Sequence, residues 1–157
     1  MRRVILDTCV WVNGLLGVDP HAARIIKAIT NQKLEVVISS YGVAEVFNVF
    51  RRLARELKVP ATVLERDIWA IWNQPNVMKD FSTDITKTLL YEVRRWKEIE
   101  LLAKILELEP KDVPFVVLAY NHRIPLITID ERSLWVKRQK IKKMTGVRIL
   151  LSKDWSI

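Results

Sequence analysis

Apolar residues along the chain follow two alternating rhythms. Short unbroken apolar runs occur at Arg3–Leu6, Leu34–Ser39 (LEVVIS), Pro125–Ile129 (PLITI) and Val147–Leu151 (VRILL). Apolar residues at consecutive positions predict strands covered on both faces, as in a parallel sheet. A weaker run at Asn76–Phe81 offers a fifth strand. Between these runs the period turns helical. His21–Gln32 is amphipathic after Pro20, and Ser40–Leu57 is the clearest helix. There Val43, Phe47, Phe50, Ala54 and Leu57 share one face, while Glu45, Asn48, Arg52 and Arg55 share the opposite one. Ala61–Asn73 and Thr86–Leu108 also read as helices, the second with room for one break. Pro114–His122 is apolar nearly all round, which predicts a buried helix with Pro114 in its first turn. Ser133–Thr145 predicts a basic helix stopped by Gly146. Strands alternating with helices predict an α/β fold, a three-layer α/β/α sandwich around a mostly parallel sheet of four or five strands.

Composition narrows the setting. The 157 residues are 50% apolar and 28% charged, with no repeat, low-complexity tract or linker, so a single domain over 1–157 is expected. No apolar run approaches the roughly 20 residues needed to cross a bilayer. Asp7 and Asn13 interrupt the apolar stretch after Met1-Arg2-Arg3, and no small-residue cleavage site follows. The one cysteine, Cys9, excludes an internal disulfide framework and fits a reducing compartment. The expectation is a cytoplasmic protein without membrane attachment. One Cys and two distant His residues, His21 and His122, also argue against structural zinc.

The net charge is +8, and most of the excess lies near the end of the chain. Residues 131–157 carry Arg132, Lys137, Arg138, Lys140, Lys142, Lys143, Arg148 and Lys153 against Glu131 and Asp154. Such asymmetry raises the case for a polyanionic partner. A solvated, solubilising helix is the plainer account of the same residues.

The carboxylates change the picture more. Asp7 ends the first predicted strand, and Asp130 ends PLITI in the same chain sense. In parallel strands both would project at the carboxyl edge of the sheet, where open α/β folds place their sites. Glu45 lies near the start of the helix after the second strand, which opens at that edge; Asp112 precedes the Pro114 helix. Each has an ordinary alternative: Asp7 capping a turn, Asp112 its helix, Asp130 opening the next helix, Glu45 simply solvated. Four acids converging on one edge would repel one another unless a cation compensated. Oxygen donors with no Cys or His among them point to Mg²⁺ or Mn²⁺. That arrangement suits attack of water on a phosphodiester.

The order Asp7 in VILDTCVWV, Glu45 in SYGVAEVFNVF, Asp112 in EPKDVPFVVLAY and Asp130 in LITIDERSL resembles the PIN domain family, to which VapC-type toxins belong. The resemblance runs from about Arg3 to Leu151. It implies a PIN-like fold, Mg²⁺ or Mn²⁺ ligated by Asp7, Glu45, Asp112 and Asp130, and RNA cleavage by metal-activated water. It also implies a small antitoxin as partner. Many relatives carry a further acid where this chain has Arg132, and the adjacent Glu131 need not point inward. Glu109 stands where a subgroup has Asp, and Thr128 matches a small polar residue that can hydrogen-bond a carboxylate. Asn13 is a candidate to orient water at the metal, although Asn13-Gly14 reads equally well as a turn. Cys9 reads as packing rather than chemistry.

RNA phosphates find two candidate strips. Arg52 and Arg55 continue the Glu45 face away from the acids, and Lys137, Arg138, Lys140, Lys142 and Lys143 form the alternative. Neither has the aromatic interleaving that reads bases. The six tryptophans at 11, 69, 72, 96, 135 and 155 read as core or interface. Ile68, Trp69, Ile71 and Trp72 give Ala61–Asn73 a broad apolar arc, expected to pair two subunits in a homodimer or to receive a partner helix.

The first reading is therefore a toxin-type ribonuclease. The second is a PIN-fold module that binds RNA or protein without cutting, or an RNA-processing factor with no toxin role. A phosphohydrolase with Asp7 as nucleophile would want a second Asp where Cys9 stands. Nucleotide binding is weakest, since Gly14, Gly17, Gly42 and Gly146 form no phosphate loop.

Overall fold

Val4, Ile5 and Leu6 are all buried, though neighbouring residues on a strand face opposite ways, because their strand is covered on both sides. Val4 and Leu6 enter one apolar cluster and Ile5 the other. In this computed structural model, which describes residues 1–80 and 97–156, the strand is the middle one of five. The strands are β1 (Arg3–Leu6), β2 (Glu35–Ser39), β3 (Val77–Asp80), β4 (Leu126–Thr128) and β5 (Ile149–Leu151). Every pairing is parallel and the order is β3-β2-β1-β4-β5.

One face is covered by α1 (Thr8–Leu15), α2 (Pro20–Thr30), α3 (Ser40–Leu57) and α4 (Ala61–Trp72). The other is covered by helical residues 97–106 (α5), by α6 (Val113–His122) and by α7 (Arg138–Thr145). The three layers expected from the alternation of strands and helices are present. From β1 the chain moves to β2 on one side, while β4 lies on its other side and leads outward to β5. The crevice between the carboxyl ends of β1 and β4 is thus the topological switch point, where open parallel sheets receive ligands.

The helices begin and end on local signals. Asp19 caps α2 through the Ala22 N–H at 2.7 Å, with Pro20 opening the helix. Ser39 caps α3 through the Gly42 N–H at 3.1 Å. Gly146, at φ 79°, closes α7 in the left-handed conformation that glycine adopts without strain.

Three expectations are corrected. Asn13-Gly14 is not a turn but part of α1. Gly14 lies so close to α2 that a Cβ there would meet Ile26 Cγ1 at 2.5 Å and the Ala22 carbonyl oxygen at 2.9 Å. Tertiary approach, not turn chemistry, explains this glycine. The basic helix starts at Arg138 rather than Ser133, after a run of turns in which Leu134 is buried and Arg138 bonds back to the Trp135 carbonyl at 2.9 Å. The apolar arc of α4 is taken up by the chain's own core. Ile68, Ile71 and Trp72 are buried there, and Trp69 packs edge-on against Trp72 and Phe47.

Smaller shifts also occur. On α3 the buried line is Val46, Phe50 and Ala54, flanked by Val43 and Phe47, while Leu57 is exposed at the helix end. The helix expected over 86–108 is seen as residues 97–106, and its earlier part, Trp96 and Phe81 lie outside the described residues.

Candidate functional site

Parallel pairing places Leu6 beside Ile127, so the next residues, Asp7 and Thr128, emerge together at the carboxyl edge. The Asp7 N–H continues the ladder to the Ile127 carbonyl at 2.9 Å. Its carboxylate is buried and heavily bonded: Oδ1 accepts from the Thr8 N–H at 2.7 Å, and Oδ2 accepts from Thr128 Oγ1 at 2.9 Å and from Cys9 Sγ at 3.3 Å. Burial raises the Asp7 pKa, the three bonds oppose that rise, and the charge of Asp130 adds to it. Asp7 therefore caps α1, as its ordinary alternative reading allowed, while sitting at the switch point.

Thr128 is wholly buried and works in both directions, because its hydroxyl also accepts the Asp130 N–H at 3.1 Å. Asp130 is exposed, with Oδ1 accepting from the Arg132 N–H at 2.7 Å. The position after Asp130 adds no inward acid, since Glu131 is exposed and ion-paired with Lys153 at 2.6 Å.

Asp112 ends the turn Pro110–Asp112 and precedes α6. It stands at the cap position but makes no side-chain cap bond. Its carboxylate is buried, and Oδ2 has no hydrogen-bond partner among the described residues. Burial first, then the charge of Asp7, pushes its pKa up to about 6, against Lys111 and a hydrogen bond with Ser133. Glu45 lies one turn into α3 and is half-buried. Beside it is the Tyr41 hydroxyl, whose proton is held more tightly than usual by burial and by the charges of Glu45, Asp112 and Asp7.

The remaining candidates divide. Asn13 turns its amide back to the Cys9 carbonyl at 2.8 Å, one helical turn earlier. Glu109 is exposed and pairs with Lys111 at 3.2 Å, adding to the repulsion felt by Asp112. Burial and Asp7 push the Cys9 thiol up to about 12, so it remains protonated near neutral pH. Arg52 and Arg55 are exposed on α3. Lys137 and Lys140 both pair with Glu107, at 2.7 and 3.1 Å, and Arg138 stacks over the Trp135 ring at 4.0 Å. Lys142 and Lys143 are exposed. Three of the five residues of the basic strip are thus engaged within the chain.

Tyr41, Lys111 and Ser133 are members of this neighbourhood that the sequence reading did not single out. Tyr41 stands four residues before Glu45 on one helix, a spacing that brings side chains together. Lys111 adjoins Asp112. Nothing in the sequence marks Ser133.

The neighbourhood suits a hard divalent cation. Its donors are carboxylate oxygens, two of the carboxylates are buried within range of each other's charge, and one buried oxygen lacks a partner among the described residues. Among the described residues no three His, Cys, Asp or Glu side chains are gathered into a complete ligand set.

No curated protein matches the sequence significantly. The fold is similar to that in VapBC2 from Rickettsia felis, solved bound to a DNA fragment from their promoter, with a TM-score of 0.58 at 12% identity, covering 95% of this chain and 98% of that one. It is similar to FitAcB from Neisseria gonorrhoeae, with a TM-score of 0.56 at 17% identity over 97% and 99% of the two chains. It is also similar to PAE2754 from Pyrobaculum aerophilum, with a TM-score of 0.55 at 15% identity over 93% and 95%. At these identities the likeness is one of fold. The sequence itself matches the model of the PIN domain family over residues 3–131, from the first strand to just past Asp130 beyond β4, and the chain belongs to that family.

Proposed function

We propose that the protein is a metal-dependent endoribonuclease that hydrolyses RNA phosphodiester bonds, and that it is the toxin of a toxin–antitoxin pair. PIN domains are in general nucleases, and family membership supports the hydrolytic part of the reading. The observation that carries it furthest is Asp112: a buried carboxylate at the switch-point edge, repelled by Asp7, with one oxygen unpartnered among the described residues. Such a group is costly to a fold unless a cation engages it.

Asp7, Glu45, Asp112 and Asp130 would hold the ion. Mg²⁺ or Mn²⁺, when bound, would supply an activated water and neutralise charge on the phosphate. Thr128 fixes the Asp7 carboxylate and the Asp130 backbone in one network, so the two strand ends present their acids together. The neutral Cys9 thiol donates to Asp7 and does not compete as a nucleophile. Arg52 and Arg55 would meet phosphates flanking the cut, with Lys142 and Lys143 as the alternative strip.

The likeness to VapBC2 and the resemblance to VapC-type toxins support a small antitoxin as partner. A homodimer would use a face other than the apolar arc of α4. No helix among the described residues is long and apolar enough to cross a membrane, in keeping with action in the cytoplasm.

A second reading, a PIN-fold module that binds RNA or protein without cutting, is favoured by one observation: no three acids are gathered into a complete ligand set among the described residues. Incubation of structured RNA with the protein and Mn²⁺, with and without chelator, separates the two. Cleavage abolished by the chelator supports the nuclease; RNA retention without cleavage at any metal concentration supports the module. A neighbouring reading frame for a short DNA-binding protein would distinguish a toxin from an RNA-processing enzyme.

A further inference from the structure

We propose that Tyr41 is a positioning residue of this site, its hydroxyl holding the turn that carries Asp112 against the helix that carries Glu45. The inference rests on the hydrolytic reading above. Tyr41 lies in the first turn of α3, and its Oη donates to the Lys111 carbonyl at 3.1 Å, joining segments 70 residues apart. That carbonyl belongs to the residue just before Asp112. The Tyr41 ring meets Phe115 edge-on, with centroids 5.8 Å apart and planes at 72°. Phe115 is in the first turn of α6, just after Asp112. One side chain therefore contacts the chain on both sides of Asp112.

The Glu45 carboxylate, four residues further along the same helix, also acts on this hydroxyl through its charge. A phenol has a single proton to donate. Here that proton goes to the Lys111 carbonyl. A cation on Glu45 would offset that charge and leave the bond to the carbonyl to hold the Asp112 turn in place. Tyr41 thus connects the two acids that come from different connections of the fold, where Thr128 connects the two that end strands.

The test uses the full chain and Tyr41→Phe, which keeps the ring on Phe115 and removes only the hydroxyl. Mn²⁺ binding is read from loss of the free-ion resonance signal, beside metal-free melting and RNA cleavage across Mn²⁺ concentrations. The variant is expected to melt within about 4 °C of the parent without metal. It should need about tenfold more Mn²⁺ for half-maximal binding and for half-maximal cleavage. Excess Mn²⁺ should restore its rate, with KM for RNA unchanged. A parent that binds Mn²⁺ while Tyr41→Phe binds it equally well would overturn the role of Tyr41 and leave the nuclease reading intact. So would a lost rate that excess Mn²⁺ does not restore. A parent that neither binds Mn²⁺ nor cleaves RNA would overturn the nuclease reading, and the positioning role with it.

Discussion

Thr128 Oγ1 donates to Asp7 Oδ2 at 2.9 Å, tying the end of β4 to the end of β1 across 121 residues of sequence. Both groups are buried, and the same hydroxyl accepts the Asp130 N–H. Replacing Thr128 by Val keeps the branched shape and a good strand former but leaves Asp7 and the Asp130 N–H each short of a partner. The expected cost is about 1–3 kcal/mol, since unmet buried polar groups retain their desolvation penalty. Chemical denaturation of Thr128→Val beside the parent measures it. Equal stability would show that the bond adds nothing to the fold.

Asp112 supplies a pH signature. Its pKa in the folded protein is pushed up to about 6 from an ordinary value of 3.8, first by burial and then by Asp7. An acid with a raised folded pKa binds its proton more tightly in the native state. Its contribution to stability is therefore present at low pH and lost as pH rises from about 4 to about 6. Asp112→Asn removes this loss and keeps the side-chain shape. Above pH 6 the metal-free variant should be as stable as the parent or more so, with a flatter stability profile below. With Mg²⁺ or Mn²⁺ the order should reverse, because a ligand that binds only the native state stabilises it by mass action. Melting curves with and without metal across this range provide the check, and an unchanged metal-induced shift in the variant would place Asp112 outside the metal site.

The electrostatic footprint on RNA should favour α3. Lys137 and Lys140 already share Glu107, and Arg138 lies on Trp135, whereas Arg52 and Arg55 are exposed on α3. Arg52→Ala with Arg55→Ala should weaken RNA binding and reduce the salt slope by about one to two, roughly one for each phosphate no longer neutralised. Neutralising Lys142 and Lys143, the exposed part of the alternative strip, should change it little. If only the lysine variants flatten the slope, the RNA lies on the other face.

Much of this could be read in the sequence, and the failures have physical causes. Consecutive apolar residues such as Val4-Ile5-Leu6 predict a sheet covered on both faces, and the helical period over Ser40–Leu57 matches the observed helix to its ends. Parallel strands then placed Asp7 and Asp130 at one edge. Asn13-Gly14 misled because a glycine required by helix–helix approach looks the same as one required by a turn. Trp69 and Trp72 misled because periodicity shows an apolar face but not what covers it. Here Trp72 meets Trp11 edge-on with centroids 5.8 Å apart, inside the core. The spacing of Tyr41 and Glu45 on one helix is visible in the sequence, but the bond from Tyr41 to the turn before Asp112, 70 residues away, and the place of Ser133 beside Asp112 are made across the fold.

Gly14→Ala tests the packing account directly. The new methyl would press on Ile26 and on the Ala22 backbone carbonyl, and the backbone has little room to yield. Overpacking of this kind costs about 1–3 kcal/mol. A melting temperature equal to that of the parent would mean that α1 and α2 can separate freely at this point.

The central claim is hydrolysis of RNA by water activated at the carboxylate edge, and the chemistry of the product ends tests it most directly. A 5′-labelled structured RNA is incubated with the protein and Mn²⁺, with and without EDTA, and the new termini are identified. The account predicts cleavage only with metal, leaving 5′-phosphate and 3′-hydroxyl ends, because the attacking group is water and not the neighbouring ribose hydroxyl. Products ending in 2′,3′-cyclic phosphate, or full cleavage in EDTA, would contradict it.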